Sequence, residues 1–417
     1  MRILFIPFTP SLAHMTRCLS IADTMKAYNH DCMFAVGVEG KDFITKAGYN
    51  VSIVPEIDST TFKNSNGWKW LTKKYFVDNL NAELKIIQDF NPNIVIYDFR
   101  FSSRLAANIK SIKSFSIVHA SALSLTIDRK NTVSKIISND NQSIKIKIKG
   151  RIFGFIFPKV FKMLISKPVK NIRSVLKQYN LNNINVVFDL LNGDNILIAD
   201  TIEFIPKGLK IPKNAHIVGP LTWSGWDSDK DFQLPSPIEK PIIYITMGST
   251  IEAKPTILKL INSLKDLPYT IIISKGQTEF DEKALPDNVF LYSYVPGNLI
   301  ASKSSLVIYH GGHETLMQTL SNGVPSLVIP VNPDQILVAR QIKNLGVGNY
   351  LKHPKSFIVG KEPLKYFNEN EIKNEVLEIL NEEQYFIKCK TLQNKMNQII
   401  ETKKYIEIIT AANTRYS

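Results

Sequence analysis

The chain has 417 residues, of which 44% are hydrophobic and 21% charged, a length that suits two or three ordinary domains with buried cores. Lys and Arg number 51 against 37 Asp and Glu, a formal net charge of +14. No recognisable nucleic-acid-binding module accompanies that charge, and the favoured reading is a solvated basic surface that attracts an anionic small molecule, with a membrane-surface contact as the competing one.

The first apolar run, Ile3–Ile6, is too short for a signal-peptide core and is broken by Pro7 and Pro10, so it predicts a strand. A helical pattern follows over Leu19 to Ala27, and Cys32–Val36, Val51–Val54, Asn93–Tyr97, Phe115–Val118 and Asn195–Ala199 read as further strands. Apolar runs alternating with amphipathic stretches predict a parallel, doubly wound α/β sheet. Within this half, Arg129 to Lys177 holds thirteen Lys/Arg and one acid, Asp140, around the apolar run Ile152–Phe157. Lysines 159, 162 and 167 interrupt it, and no stretch of about 18 apolar residues predicts a transmembrane helix anywhere. Two readings of 129–177 stand: lining of an apolar pocket or core, which is favoured, and peripheral contact with an anionic membrane.

The composition then turns polar and proline-bearing, from Gly219-Pro220 through Asp227-Ser228-Asp229 to Pro235-Ser236-Pro237. A second series follows: Ile242–Met247, Thr270–Ile273, Val289–Leu291, Leu306–Tyr309 and Ser326–Ile329. The organisation expected is a Rossmann-like domain over 1–218, a linker over 219–240, a second Rossmann-like domain over 241–400, and a terminal helix over 401–417 crossing back to the first. A ligand belongs in a cleft at the carboxyl ends of the strands. Cys18, Cys32 and Cys389 are scattered without metal or disulfide spacing, which fits a cytoplasmic protein. Asp227-x-Asp229 is read as a solvent-exposed part of the linker, and His313-Glu314 lacks the second histidine of a zinc helix, since position 317 is Met.

The chemistry concentrates in residues 306–335. An apolar strand, Leu306–Tyr309, runs into His310-Gly311-Gly312 and then a helical stretch through Thr315 and Leu320. Glycines allow close approach of backbone to a phosphate, and a helix start offers free N–H groups and a positive dipole end. His310 and Thr315 add donors there. Asn322-Gly323-Val324-Pro325 stops the helix, and Asp334-Gln335, read as lying in the loop after the next strand, offer partners for sugar hydroxyls. Met247-Gly248-Ser249-Thr250 is a second candidate phosphate turn, or a simple helix cap.

His310, Gly312, Thr315, Gly323-Val324-Pro325 and Asp334-Gln335 stand in the order and spacing of the donor signature of glycosyltransferase family 1. The chain resembles that family, the UDP-glycosyltransferases of GT-B fold, and its bacterial macrolide-type branch, over nearly its whole length. The resemblance implies that His310 and Thr315 hold the diphosphate and that Asp334 and Gln335 hold the sugar. Gln318 stands where the family has a ribose-binding Glu, and Gly297 follows Val295-Pro296 where the family has Gln. Tyr294 and Val295 are then the base neighbours, and UDP and dTDP both stay open, with UDP-glucose the leading donor.

Transfer to a hydroxyl needs a base, and histidine has the suitable pKa, with a carboxylate behind it to fix its tautomer. His14 and Asp98 both follow strands of the first sheet. They match the family's catalytic His and Asp, with Ala13 in place of Gly and Arg17 in place of Pro, changes expected to alter the loop rather than the chemistry. The resemblance implies an inverting displacement on a small lipophilic or natural-product acceptor. His14 acts as base, Asp98 assists, and no cofactor or metal is required. A glycolipid synthase at the membrane surface, a silent nucleotide-sugar-binding partner and a sugar-nucleotide epimerase are the alternatives.

Overall fold

The structure, a computed structural model, describes residues 1–65, 68–127, 162–223, 225, 232–235, 241–248, 253–276, 278–280, 285–351 and 363–413. These residues form two compact units. One holds the described residues up to Trp223 together with those from Ile399 onward, and the other holds those from beyond Trp223 to Gln398.

The first unit is built on a seven-stranded sheet in the order β3-β2-β1-β4-β5-β6-β7. The strands are β1 (Arg2–Pro7), β2 (Asp31–Val36), β3 (Asn50–Ile53), β4 (Ile94–Asp98), β5 (Lys113–Val118), β6 (Asn195–Ile198) and β7 (Ala215–Ile217). Every pair is parallel. Central strands of such a sheet are covered on both faces, so they need continuous rather than alternating apolar side chains. All five residues of β4 are buried, as are five of the six in β1.

The helix after β1 spans Leu12–Ala27, so it begins ahead of the apolar pattern at Leu19 that announces it. Its buried face runs Met15, Cys18, Leu19, Ala22, Met25, a three-and-four spacing, but includes Thr16 and Arg17. Pro7 pairs with Asp98 in the β1–β4 register. The carboxyl end of β4 is thereby brought beside the turn that enters this helix. Near the chain's end the helix Lys404–Asn413 belongs to this unit, and Tyr405 Oη lies 2.9 Å from Thr24 Oγ1.

The second unit has a six-stranded parallel sheet ordered β10-β9-β8-β11-β12-β13. Its strands are β8 (Ile242–Thr246), β9 (Thr270–Ser274), β10 (Val289–Tyr292), β11 (Ser304–Tyr309), β12 (Ser326–Val328) and β13 (Gly348–Tyr350). Ile243, Ile245, Leu306, Ile308 and Leu327 meet Ile372, Val376 and Ile379 of the helix Glu369–Asn381 in its core. In both sheets the order of strand addition reverses at a central pair, β1/β4 and β8/β11, the switch point where doubly wound sheets bind ligands at their carboxyl ends.

Among the described residues no helix is long and apolar enough to cross a membrane. Of the basic stretch 129–177, the described part is a helix over 162–178, and residues 129–161 lie outside the described set, as do Asp227 and Asp229.

Candidate active site

In the first unit the site begins with one carboxylate. Asp98 ends β4, 1% exposed. His14 Nδ1 lies 2.7 Å from its Oδ1. Arg17, one helical turn beyond His14 and 2% exposed, grips the same carboxylate through Nε to Oδ2 at 2.7 Å and Nη2 to Oδ1 at 3.0 Å. Arg17 Nη2 is also 2.7 Å from His14 Nδ1. A guanidinium is always a donor, so only Nδ1–H pointing at Asp98 gives both neighbours a hydrogen bond to Oδ1. That tautomer leaves Nε2 with a free lone pair, the state of a base.

Burial by itself would push the Asp98 carboxyl up, but Arg17 and His14 outweigh it and hold it at about 2. Burial pulls the His14 imidazole below its ordinary value against the pull of Asp98, and the Arg17 charge adds to the lowering. The imidazole is therefore neutral at neutral pH.

The next two residues carry the frame around this pair. Phe99 has a left-handed backbone, φ 54°, and its ring stacks on His14 with centroids 5.0 Å apart at 9°. A side chain in that region costs about 1 kcal/mol. Phe8 meets both rings edge-on, and Trp68, Trp70, Phe62 and Phe101 extend an aromatic wall. Arg100 turns the other way into a buried network. It donates to Glu83 Oε1 at 3.0 Å and to Glu56 and Asn79, and Ser102 Oγ donates to the same Glu83 oxygen at 2.8 Å.

In the second unit His310 directly follows β11 and Gly311-Gly312 lead into the helix His313–Ser321. The imidazole is clasped by glycines. A Cβ on Gly248 would come 2.6 Å from His310 Cε1, and one on Gly312 would come 2.7 Å from Nε2. Gly248 (φ 69°) and Gly311 (φ 93°) hold backbone conformations that other residues resist. Burial lowers the imidazole to about 4, and its Nδ1 has no hydrogen-bond partner among the described residues. Thr315 is the third residue of that helix.

Asp334 and Gln335 lie in the first turn of the helix Pro333–Leu345 rather than in a loop. Asn332 caps that helix by accepting from Gln335 N at 3.0 Å, and Gln335 Oε1 accepts from Val331 N at 2.8 Å. Val295 is buried and Tyr294 exposed. The Gln318 carboxamide fills the space above Gly297, where a Cβ would collide with it, and donates to Glu314 Oε1 at 3.3 Å. Ser249 lies outside the described residues.

The structure brings together His14 with Asp98, His310 with Gly248 and Gly312, and Gln318 with Gly297. It corrects a further expectation: Arg17 does not merely reshape a loop, because it is helical, buried, bonded to Asp98 and in close contact with His14 Nδ1. Its three-residue spacing from His14 was the available signal. Phe99, Glu83 and Glu56 were not singled out by sequence. His119, the histidine that follows β5, contacts Ser121 Oγ at 2.6 Å at the start of the helix Ala120–Ile127.

Comparison with known proteins agrees with this layout. Residues 258–396 match the erythromycin biosynthesis protein CIII-like C-terminal domain. A PGL/p-HBAD biosynthesis rhamnosyltransferase of Mycobacterium bovis is 25% identical over 359 residues, covering 84% of this chain and 77% of the relative. Among solved structures, the calicheamicin glycosyltransferase CalG4 superposes with a TM-score of 0.74 at 15% identity, over 100% of this chain and 99% of the other. The glycosyltransferase VinC, in complex with dTDP, gives 0.64 at 15% identity over 100% of both chains. The fold is GT-B, two Rossmann-like halves.

Proposed function

We propose, from the premise that this chain is a family 1 glycosyltransferase of the bacterial natural-product type, that it transfers a hexose from a nucleoside diphosphate to a hydroxyl of a small lipophilic acceptor. The observation that carries the proposal is the 2.7 Å contact between His14 and Asp98 at the carboxyl end of the first sheet. With Nδ1–H held by the carboxylate, Nε2 takes the acceptor proton as the hydroxyl oxygen attacks the anomeric carbon. The bond to the diphosphate breaks on the opposite side, and the anomeric configuration inverts. The imidazolium that forms is stabilised by Asp98.

On the donor side, the helix start after Gly312 and the Thr315 hydroxyl take the charge of the departing diphosphate. His310, whose buried Nδ1 has no partner among the described residues, gains a proton or a partner when an anion arrives. Asp334 and Gln335 are assigned to the sugar, and Gln318 and the Tyr294-Val295 backbone to the nucleoside. UDP-glucose is the donor the sequence pattern favours. The rhamnosyltransferase among the relatives supports a rhamnose donor, and the dTDP-bound structure a dTDP-sugar, as the competing choices. A thermal-shift panel of UDP, dTDP and GDP sugars tests the donor reading, and no stabilisation by any of them refutes it.

A second reading, a glycolipid synthase at an anionic membrane, is favoured by one feature. On the helix 162–178, Met163 and Leu164 are 59% and 51% exposed beside exposed Lys162 and Lys167. Co-sedimentation with anionic vesicles, lost on replacing both apolar residues by Ser, supports it. Absence of binding leaves the soluble-acceptor reading.

A further inference from the structure

We propose that Arg17 is a positioning residue of the reaction, clamping Asp98 and holding His14 uncharged and ready to accept a proton. The inference rests on the reading of His14 as the base, and it concerns the residue this chain carries where the sequence pattern has proline.

A guanidinium 2% exposed on the buried face of a helix is costly unless charge and hydrogen bonds answer it. Here the answer is the Asp98 carboxylate, met in the two-pronged geometry that only arginine offers. Both carboxylate oxygens are occupied, so the carboxylate plane is fixed. Oδ1 is thereby aimed at His14 Nδ1, and the imidazole ring is fixed in turn between that bond and the Phe99 ring.

The electrostatic consequence follows from charge counting. A lone carboxylate behind a histidine favours the imidazolium, and a carboxylate already paired with a guanidinium presents little net charge to it. Arg17 also sits 2.7 Å from Nδ1, so it opposes the imidazolium directly. Other groups around His14 do not reverse this. Glu56, from the segment after β3, pulls the other way, but its carboxylate is bonded to Arg100 and Tyr75. The Cys18 thiol near Asp98 is kept protonated by burial. The rings facing His14, Phe8 and Phe99, are uncharged. Arg17 thus extends the working range of the base to lower pH than an Asp–His pair alone allows.

The experiment uses the full chain with Arg17→Met, Arg17→Gln and Arg17→Lys. His14 is followed by imidazole nitrogen NMR over a pH series, its signals identified by their loss in His14→Ala, and kcat/KM for transfer is followed over the same series. Arg17→Met is expected to raise the pH at which His14 titrates by about one unit or more, with the acid limb of kcat/KM moving alongside. On that limb, activity relative to the alkaline plateau falls about tenfold per unit. Arg17→Gln gives the same shift if the Met variant does not fold. Arg17→Lys keeps the charge and leaves the limb near its original place, at a lower plateau because the two-pronged grip is lost. A purely structural role lowers the plateau without moving the limb. An unmoved His14 titration in both uncharged variants overturns the proposal. A His14 titration that moves while the limb stays put upholds Arg17 and refutes His14 as the base.

Discussion

Replacing Asp98 by Asn should cost stability as well as activity. The change leaves Arg17 as a guanidinium 2% exposed without its counter-charge. Breaking a buried pair in this way costs about 3–5 kcal/mol, mostly the uncompensated charge. An independent figure comes from the carboxyl, held at about 2 against an ordinary 3.8. That difference corresponds to about 2–3 kcal/mol of linked stability. The sign is that of a depressed carboxylate: the contribution is full above about pH 4 and is lost as pH falls through about 2. Urea melts of wild type and Asp98→Asn should therefore be well separated at pH 7, and the gap should narrow by about 2 kcal/mol between pH 4 and pH 2. Adding Arg17→Met to Asp98→Asn should restore much of the loss, because the stranded cation goes with it. Coincident melts at pH 7, or a gap that does not respond to acid, would refute the claim that the three-residue cluster is a charged pair with a histidine attached.

His14→Ala should lower transfer by about 10²–10⁴-fold while donor binding, read by thermal shift, stays unchanged; transfer near the wild-type rate sinks the base assignment. Gly312→Ala has no backbone penalty, since φ is −65°, but its methyl would lie 2.7 Å from His310 Nε2. Displacing that ring should weaken nucleotide-sugar binding about tenfold in calorimetry, and unchanged affinity would detach His310 from the diphosphate. At Phe99 the usual order of Ala and Gly should invert: with φ at 54°, Phe99→Gly should be more stable than Phe99→Ala by about 1 kcal/mol in urea melts.

Much of the architecture was legible because parallel strands buried on both faces must be written as short, unbroken apolar runs. Those runs fell on β1 to β6 and β8 to β12, with ends displaced by a residue or two. β7 (Ala215-His216-Ile217) and β13 (Gly348-Asn349-Tyr350) are not unbroken apolar runs and do not stand out from a loop. The start of the helix at Leu12 was hidden because His14, Thr16 and Arg17 break the apolar pattern before Leu19. Asp334 and Gln335 were assigned to a loop although Asn332-Pro333 carries a cap residue and a first-turn proline, both helix-start signals. Strand-end positions of His14, Asp98 and His310 could be read because site chemistry in this kind of sheet sits where strands stop. Burial of Arg17 and the left-handed turn at Phe99 are products of tertiary packing, which spacing in one sequence does not encode.

The tripeptide Asp98-Phe99-Arg100 has a consequence for how such a protein diversifies. Its outer members are moored on opposite sides, Asp98 to Arg17 and His14, Arg100 to Glu83 and Glu56. Phe99 stands between two fixed points, its ring partly open beside the histidine. Exchange of that one side chain, or of the Trp68 ring next to it, would reshape the wall facing the histidine while the Asp98 and Arg100 moorings stay in place. What must stay still and what is free to vary are thus separated by a single peptide unit.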